Sequence, residues 1–371
     1  MTGINRRTFL GWAAAAPVLL HSRVTLAVVD NFPAQRFASA NHAADGLFYL
    51  NIFDGLGKEV AKHLLPSRAH QIVSHPTKPW VLAVARRPGT TIDIFDYQTG
   101  SLVARLNCSR GYHLYGHAQI TIDGRYLLTT EKSPSHEDGR LVVRDIEQNF
   151  KIAKDHSTAG IGPHELRLFA DQRTMVIANG GIQTKGREKI NLESMQPSLT
   201  YVDIHSGKLL EQVYLPAQYH QSSIRHLDIS PNGQVLIAMQ YQGNPGDSVP
   251  LIALHSRGEA IQALAIPAHI NGRLNQYCGS ACFDSTGDFA AVSAPRGNLI
   301  TLWNIKTQQF HAAIKVNDGC GIAKTKHAGE FIVSSGAGRL YTLDSQKMTR
   351  TAIPTTLKVK WDNHLSIIAQ V

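Results

Sequence analysis

The sequence predicts an all-β fold, a seven-bladed β-propeller of the WD40 or YVTN type. Three observations carry that expectation: a strand–turn–strand unit that recurs with a period near 47 residues, a third strand behind most copies, and complementary strand fragments at the two ends of the array.

The unit is clearest from His117, where a short apolar-alternating strand runs to Asp123-Gly124 and a second strand follows to Glu131. Asp-Gly between two such strands is the signature of a tight hairpin. The same spacing recurs from His226 through Asn232-Gly233 to Gln240, and from Ser280 through Gly287, with serine in the histidine's place. Looser copies begin at His70, with its turn at Thr77-Lys78, at His164, with its turn at Asp171-Gln172, and near Cys320, with its turn at Ala328-Gly329. Third strands follow at Ile92 to Tyr97, Leu141 to Ile146, Leu199 to Ile204, Leu299 to Ile305 and Leu340 to Leu343. That accounts for six blades. Residues 36–65 hold three further strand-like pieces with no inner strand ahead of them, and Val359 to Ile368 supplies the missing one. The N- and C-terminal strands therefore share a seventh blade, and ring closure of this kind removes exposed sheet edges.

Composition sets the outer limits. With 371 residues, 43% hydrophobic and 18% charged, the chain has material for a large core, which excludes disorder over most of its length. Its longest apolar run, Phe9 to Leu20, is shorter than the roughly twenty residues a bilayer-spanning helix needs, so no membrane span is expected in the mature chain. The net charge of +9 is scattered, with no run of five Lys or Arg; a solvated basic surface accounts for it better than nucleic acid does, and an anionic ligand stays open.

Asn5-Arg6-Arg7-Thr8-Phe9-Leu10, the apolar stretch after it and the small residue Ala27 combine a charged, an apolar and a cleavage region. Residues 1–27 resemble a twin-arginine signal peptide, whose translocon carries folded proteins, and this places residues 28–371 in the periplasm as a single propeller domain. Cys108, Cys278, Cys282 and Cys320 are too sparse for a disulfide framework, and the spacing of Cys278 and Cys282 fits no C-x-x-C motif; packed thiols with at most one bridge are expected.

Antiparallel alternation puts the loop entering each inner strand and the loop between its second and third strands on one face. His70, His117, His164 and His226 belong to the first position; Arg86-Arg87, Glu131, Asn179 and Arg296 belong to the second. Neutral imidazoles aimed at a shared axis suit Fe, Cu or Zn, with His117, His164 and His226 as the metal candidates. The competing reading is a histidine that hydrogen-bonds within its own blade. Register bears on the choice: His117 and His226 stand seven residues before their turn glycines, His70 and His164 eight before the matching turn residues Lys78 and Gln172, and one residue reverses a strand's facing. Glu165 beside His164 suits a metal or acid–base work. Arg86, Arg87 and Arg225 could clamp a carboxylate or phosphate, with Glu131, Asn179 and His364 as further ligand-binding candidates. The insertion from Gly181 to Pro197 is a candidate lid or docking loop.

Taken together, Ala85-Arg-Arg-Pro-Gly89, Tyr115-Gly-His117, Gly160-Ile-Gly-Pro-His-Glu165, Ala178-Asn-Gly-Gly-Ile182, Asn191 to Met195, Ser223-Ile-Arg-His-Leu227 and Trp361-Asp-Asn-His364 resemble a domain-of-unknown-function family. Its members are twin-arginine-exported seven-bladed propellers, often encoded beside imelysin-type periplasmic iron proteins. The resemblance implies a periplasmic role in iron or copper handling with an imelysin-type partner. The chain departs from the family at Thr184-Lys185, where a further histidine is common.

Two functions follow. One is a binding module that engages a metal, a metal-bearing ligand or a partner protein through the funnel. The other is an enzyme similar to propeller lactonases and muconate-cyclising proteins, with His164 and Glu165 as the acid–base pair and Arg86 and Arg87 as the carboxylate clamp.

Overall fold

Each interval of the repeat folds into one four-stranded antiparallel sheet, and seven such blades are present in the computed structural model, which describes residues 35–185 and 188–369. The export leader expected over residues 1–27 lies outside the described residues. Inner strands of blades 2 to 7 are Ala69–Ser74, His113–Ile120, Pro163–Leu168, Ser222–Ile229, Ser280–Phe283 and Gly319–Lys324. Each packs against the inner strand of the next blade, so together they wall a central channel. No helix among the described residues is long and apolar enough to cross a membrane.

Blade 1 takes its second to fourth strands from Arg36–Ala43, Phe48–Asp54 and Glu59–Leu65. Its inner edge comes from the other end of the chain and is split: Val359–Trp361 and Ser366–Ile368 both pair antiparallel with Arg36–Ala43, leaving Asp362 to Leu365 as a break between them. Ser39 Oγ donates to the His364 carbonyl (2.7 Å) and the Asp362 amide to the Ala40 carbonyl (2.9 Å), which holds the break in place. Ser366–Ile368 also packs against the inner strands of blades 2 and 7, closing the ring.

The hydrophobic core is divided among the seams between neighbouring blades. Seven apolar clusters each draw on two adjacent blades, as where Phe283 and Trp303 of blade 6 meet Leu236, Leu254 and Leu274 of blade 5. Middle strands are buried on both faces for this reason, whereas the outer strand Lys151–Ser157 is mostly exposed. A fully buried phenylalanine such as Phe283 stabilises its seam by about 1.5–3 kcal/mol. All four cysteines are free thiols, three buried and Cys108 half-buried.

The insertion after the second strand of blade 4 forms a hairpin, Thr184–Lys185 with Glu188–Lys189, and a 3-10 turn, Leu192–Ser194. Asn191 anchors its base by donating to the Gly181 carbonyl and accepting from the Gln183 amide. Lys132 of blade 3 reaches the Thr184 carbonyl (3.0 Å), and Gln221 of blade 5 reaches that of Leu192 (3.3 Å).

Candidate metal centre in the propeller channel

The histidines of the repeat stand on irregular strands. In the four inner strands of blades 2 to 5 the pairing slips between Ala69 and Gln71, Leu114 and Ala118, Pro163 and Leu166, and Ile224 and His226. Three of the slips contain His70, His117 and His164, and the fourth ends on His226. A bulge inserts a residue and re-aims the side chain there, so the one-residue disagreement in spacing is absorbed before it can reverse the facing.

The result is a cluster of five imidazoles. Ring centres of His117 and His70, His164, His226 and His364 are 4.8, 5.0, 5.8 and 4.6 Å apart. The other four close in sequence, with His70 to His164 at 5.6 Å, His164 to His226 at 5.0 Å, His226 to His364 at 5.0 Å and His364 to His70 at 4.6 Å. His364 enters from the break in the closing strand. Two overlapping triads, His117–His164–His226 and His70–His117–His364, have ligand nitrogens within 4.8 Å of one another. A metal–nitrogen bond of about 2.0–2.1 Å, with roughly 1 Å more to the ring centre, sets ligating imidazoles about 4.5–5.2 Å apart at interligand angles between square and tetrahedral. Six of the eight spacings fall within that range, and two, His117 to His226 at 5.8 Å and His70 to His164 at 5.6 Å, lie above it.

Electrostatics favour neutral rings. Burial first, then His364 for His70 and His117 and Arg225 for His164, push the pKa of these three well below the ordinary value, and burial with His226 lowers that of His364 to about 3. Both nitrogens of His70 and His117, and Nε2 of His364, are buried without a hydrogen-bond partner. The rest of the chain shows what structural histidines look like in this fold. His75, His156 and His311 donate to carbonyls of Gly124, Ile204 and Ser345 in the next blade, and His255 pairs with Tyr201. Those four join blades; of the five channel histidines His226 does so as well, through Glu165 of blade 4, while His70 and His117 make no such bond.

One ring is oriented from behind. His226 Nδ1 donates to Glu165 Oε2 (2.9 Å), which leaves its Nε2 lone pair free. Glu165 also receives Arg167 (2.6 Å) and the Leu227 amide (3.3 Å), and Arg167 Nε is held by the Leu227 carbonyl (3.1 Å). Burial would raise the Glu165 carboxyl, but Arg167 and His226 override it and hold the pKa down to about 2. A carboxylate so clasped is a fixed anion that orients an imidazole, and it leans on His226 where an acid–base partnership with His164 was expected.

Other expected residues scatter. Glu131 is buried within blade 3, paired with Arg144 (2.7 Å) and accepting from Thr129 (2.8 Å). The Asn179 amide donates to the Thr158 carbonyl (3.0 Å) and Thr200 (3.1 Å) inside blade 4. Arg86 faces Asp362 (3.7 Å), which is itself gripped by both ends of the Arg68 guanidinium at 2.5 and 3.1 Å. Arg87 is exposed, and Arg225 has no carboxylate partner among the described residues. Sequence reasoning missed Arg167 and Arg68. Arg167 had a signal, because residues two apart on a strand share a face and Glu165 needed a cation there.

The fold and the channel define a class: seven-bladed propellers with histidines gathered on the axis. Within it, the chain belongs to the family described as Protein of unknown function (DUF1513), whose model matches residues 63–368. It is similar in fold to a solved structure titled Kuenenia stuttgartiensis Hydrazine Synthase, at 13% identity and a TM-score of 0.60, over 86% of this chain and 95% of that one. No curated protein matches the sequence.

Proposed function

We propose that the protein is a periplasmic metal-binding propeller whose channel histidines take up a transition metal. The observation that carries the reading is the convergence of buried imidazole nitrogens without partners on His70, His117 and His364 at one point of the channel, where His75 and His255 find partners in neighbouring blades and His63, away from the cluster, leaves only its Nε2 buried and unpaired. An unsatisfied buried polar atom costs about 1–3 kcal/mol, a cost that ligation removes. His117, His164 and His226, with His70 and His364, would hold the ion, and Glu165 would orient His226 in the way carboxylates orient metal-bound histidines. An all-imidazole donor set suits Cu, Zn or Fe(II) and discriminates against hard ions that want oxygen. Bound there, the metal supplies a Lewis-acidic or redox-active centre. Resemblance to exported propellers encoded beside imelysin-type iron proteins points the reading towards iron or copper handling.

The test is metal analysis of protein exported and purified without chelator, followed by titration of the metal-free form with Fe(II), Cu(II) and Zn(II). One ion per chain is expected, lost in His117→Ala and weakened in His164→Ala. Protein that takes up none of the three overturns the reading.

A further inference from the structure

Around the channel mouth the charges do not balance. The two carboxylates nearest the histidines are already neutralised, Glu165 by Arg167 and Asp362 by Arg68. Beyond them stand Arg225, Arg87, Lys189 and Arg296, none of which has a carboxylate within ion-pair distance among the described residues. Arg225 is the residue inserted at its strand's bulge, and its Nε is buried without a partner. Arg87 stands near enough to add repulsion to it. Arg296 lies over the Tyr277 ring (4.1 Å), and Lys189 is steadied by Gln242 (2.5 Å). Burying a guanidinium donor without an acceptor is costly, and surrounding it with like charges adds to the cost.

We propose that the mouth is an oxyanion site in which Arg225, with Arg87, Lys189 and Arg296, binds a carboxylate-bearing small molecule. Arg225 supplies the fork that matches a carboxylate's two oxygens, and the other cations supply field. Arg86, paired with Arg87 in the clamp the sequence suggests, faces Asp362 at 3.7 Å with its Nη1 buried and unpartnered, and adds one more cation beside the mouth. The site goes beyond the metal reading, because its charge imbalance exists with the histidines neutral and metal-free.

Isothermal titration of the metal-free full-length mature protein with oxalate tests it. Saturable binding at one site is expected, falling at least about tenfold in Arg225→Gln and less in Arg225→Lys, which keeps the charge and loses the fork. Arg257→Gln, an exposed arginine in the turn between the third and fourth strands of blade 5 and so on the opposite face, should leave binding unchanged. His117→Ala should also leave it unchanged, which separates this site from the histidine cluster. Absence of oxalate binding by the wild type, or equal affinity in folded Arg225→Gln, overturns the proposal. Retained thermal unfolding midpoints identify which variants are folded.

Discussion

A side chain at Gly116 would meet the imidazole of His70, whose Cδ2 lies 2.6 Å from where the β-carbon would stand. The glycine has φ +104, a conformation L residues rarely adopt, and it directly precedes His117. The bulge that aims one histidine is thereby built to admit another. Gly116→Ala should lose about 1–3 kcal/mol from backbone strain and displace His70 as well. Gly100→Ala is the control, since that glycine also has positive φ but open space around it. Urea unfolding should show the larger loss at Gly116, and metal titration should show weakened uptake there alone; equal behaviour would remove the packing argument.

Glu165 and Arg167 make a second pair of unequal variants. Glu165→Gln keeps an acceptor for His226 and should lower metal affinity by about 10–100-fold with the fold intact. Arg167→Met strands a buried carboxylate and should cost about 3–5 kcal/mol of stability. Denaturant unfolding and metal titration on the same preparations separate the two effects, and an Arg167→Met protein as stable as wild type would contradict the clasp.

Acid should destabilise the metal-free protein earlier than carboxylate titration alone would. In the unfolded chain His70, His117, His164 and His364 accept protons near pH 6.5, while the folded channel refuses them. The unfolded state then binds more protons, so stability rises with pH and falls as pH drops below about 6.5, by up to about 1.4 kcal/mol per unit for each histidine. Thermal unfolding at pH 7.5, 6.5 and 5.5 checks the sign; a flat profile counts against buried neutral rings.

Thiol chemistry offers a fourth check. Burial pushes the Cys278 pKa up to about 12 and those of Cys282 and Cys320 higher still, so little thiolate exists to be alkylated. Iodoacetamide at pH 8 should leave these three unmodified in the native protein and label all four cysteines after denaturation without reductant. Fewer than four labels would reveal a disulfide and correct the free-thiol assignment.

The blades were legible in the sequence because each carries its own punctuation: Asp123-Gly124 and Asn232-Gly233 mark hairpins by a backbone requirement that few residues meet. The shared blade was legible because a three-strand remnant at residues 36–65 demanded a partner. The bulges were not, since an inserted residue leaves no compositional trace, and without them His70 and His164 seemed out of phase with His117 and His226. Glu131 and Asn179 misled for a related reason. Their position after a second strand suits a mouth loop, yet Arg144 and the Thr158 carbonyl, which claim them, are defined only once strands pair. His364 was placed correctly at the channel because ring topology fixes where a closing strand must run, although its two three-residue pieces were expected to be one.

Those two short pieces close the ring with three paired residues each, and the histidine between them meets, at the axis, imidazoles carried by blades 2 to 5. An ion held there would act as a rivet through the place where the circle was soldered shut. Peeling the terminal segment outward would mean surrendering a coordination bond along with a handful of ladder contacts. Occupancy would then govern how long the closed form survives proteases and heat, and a chain whose ends have not yet met could not hold the complete set of five.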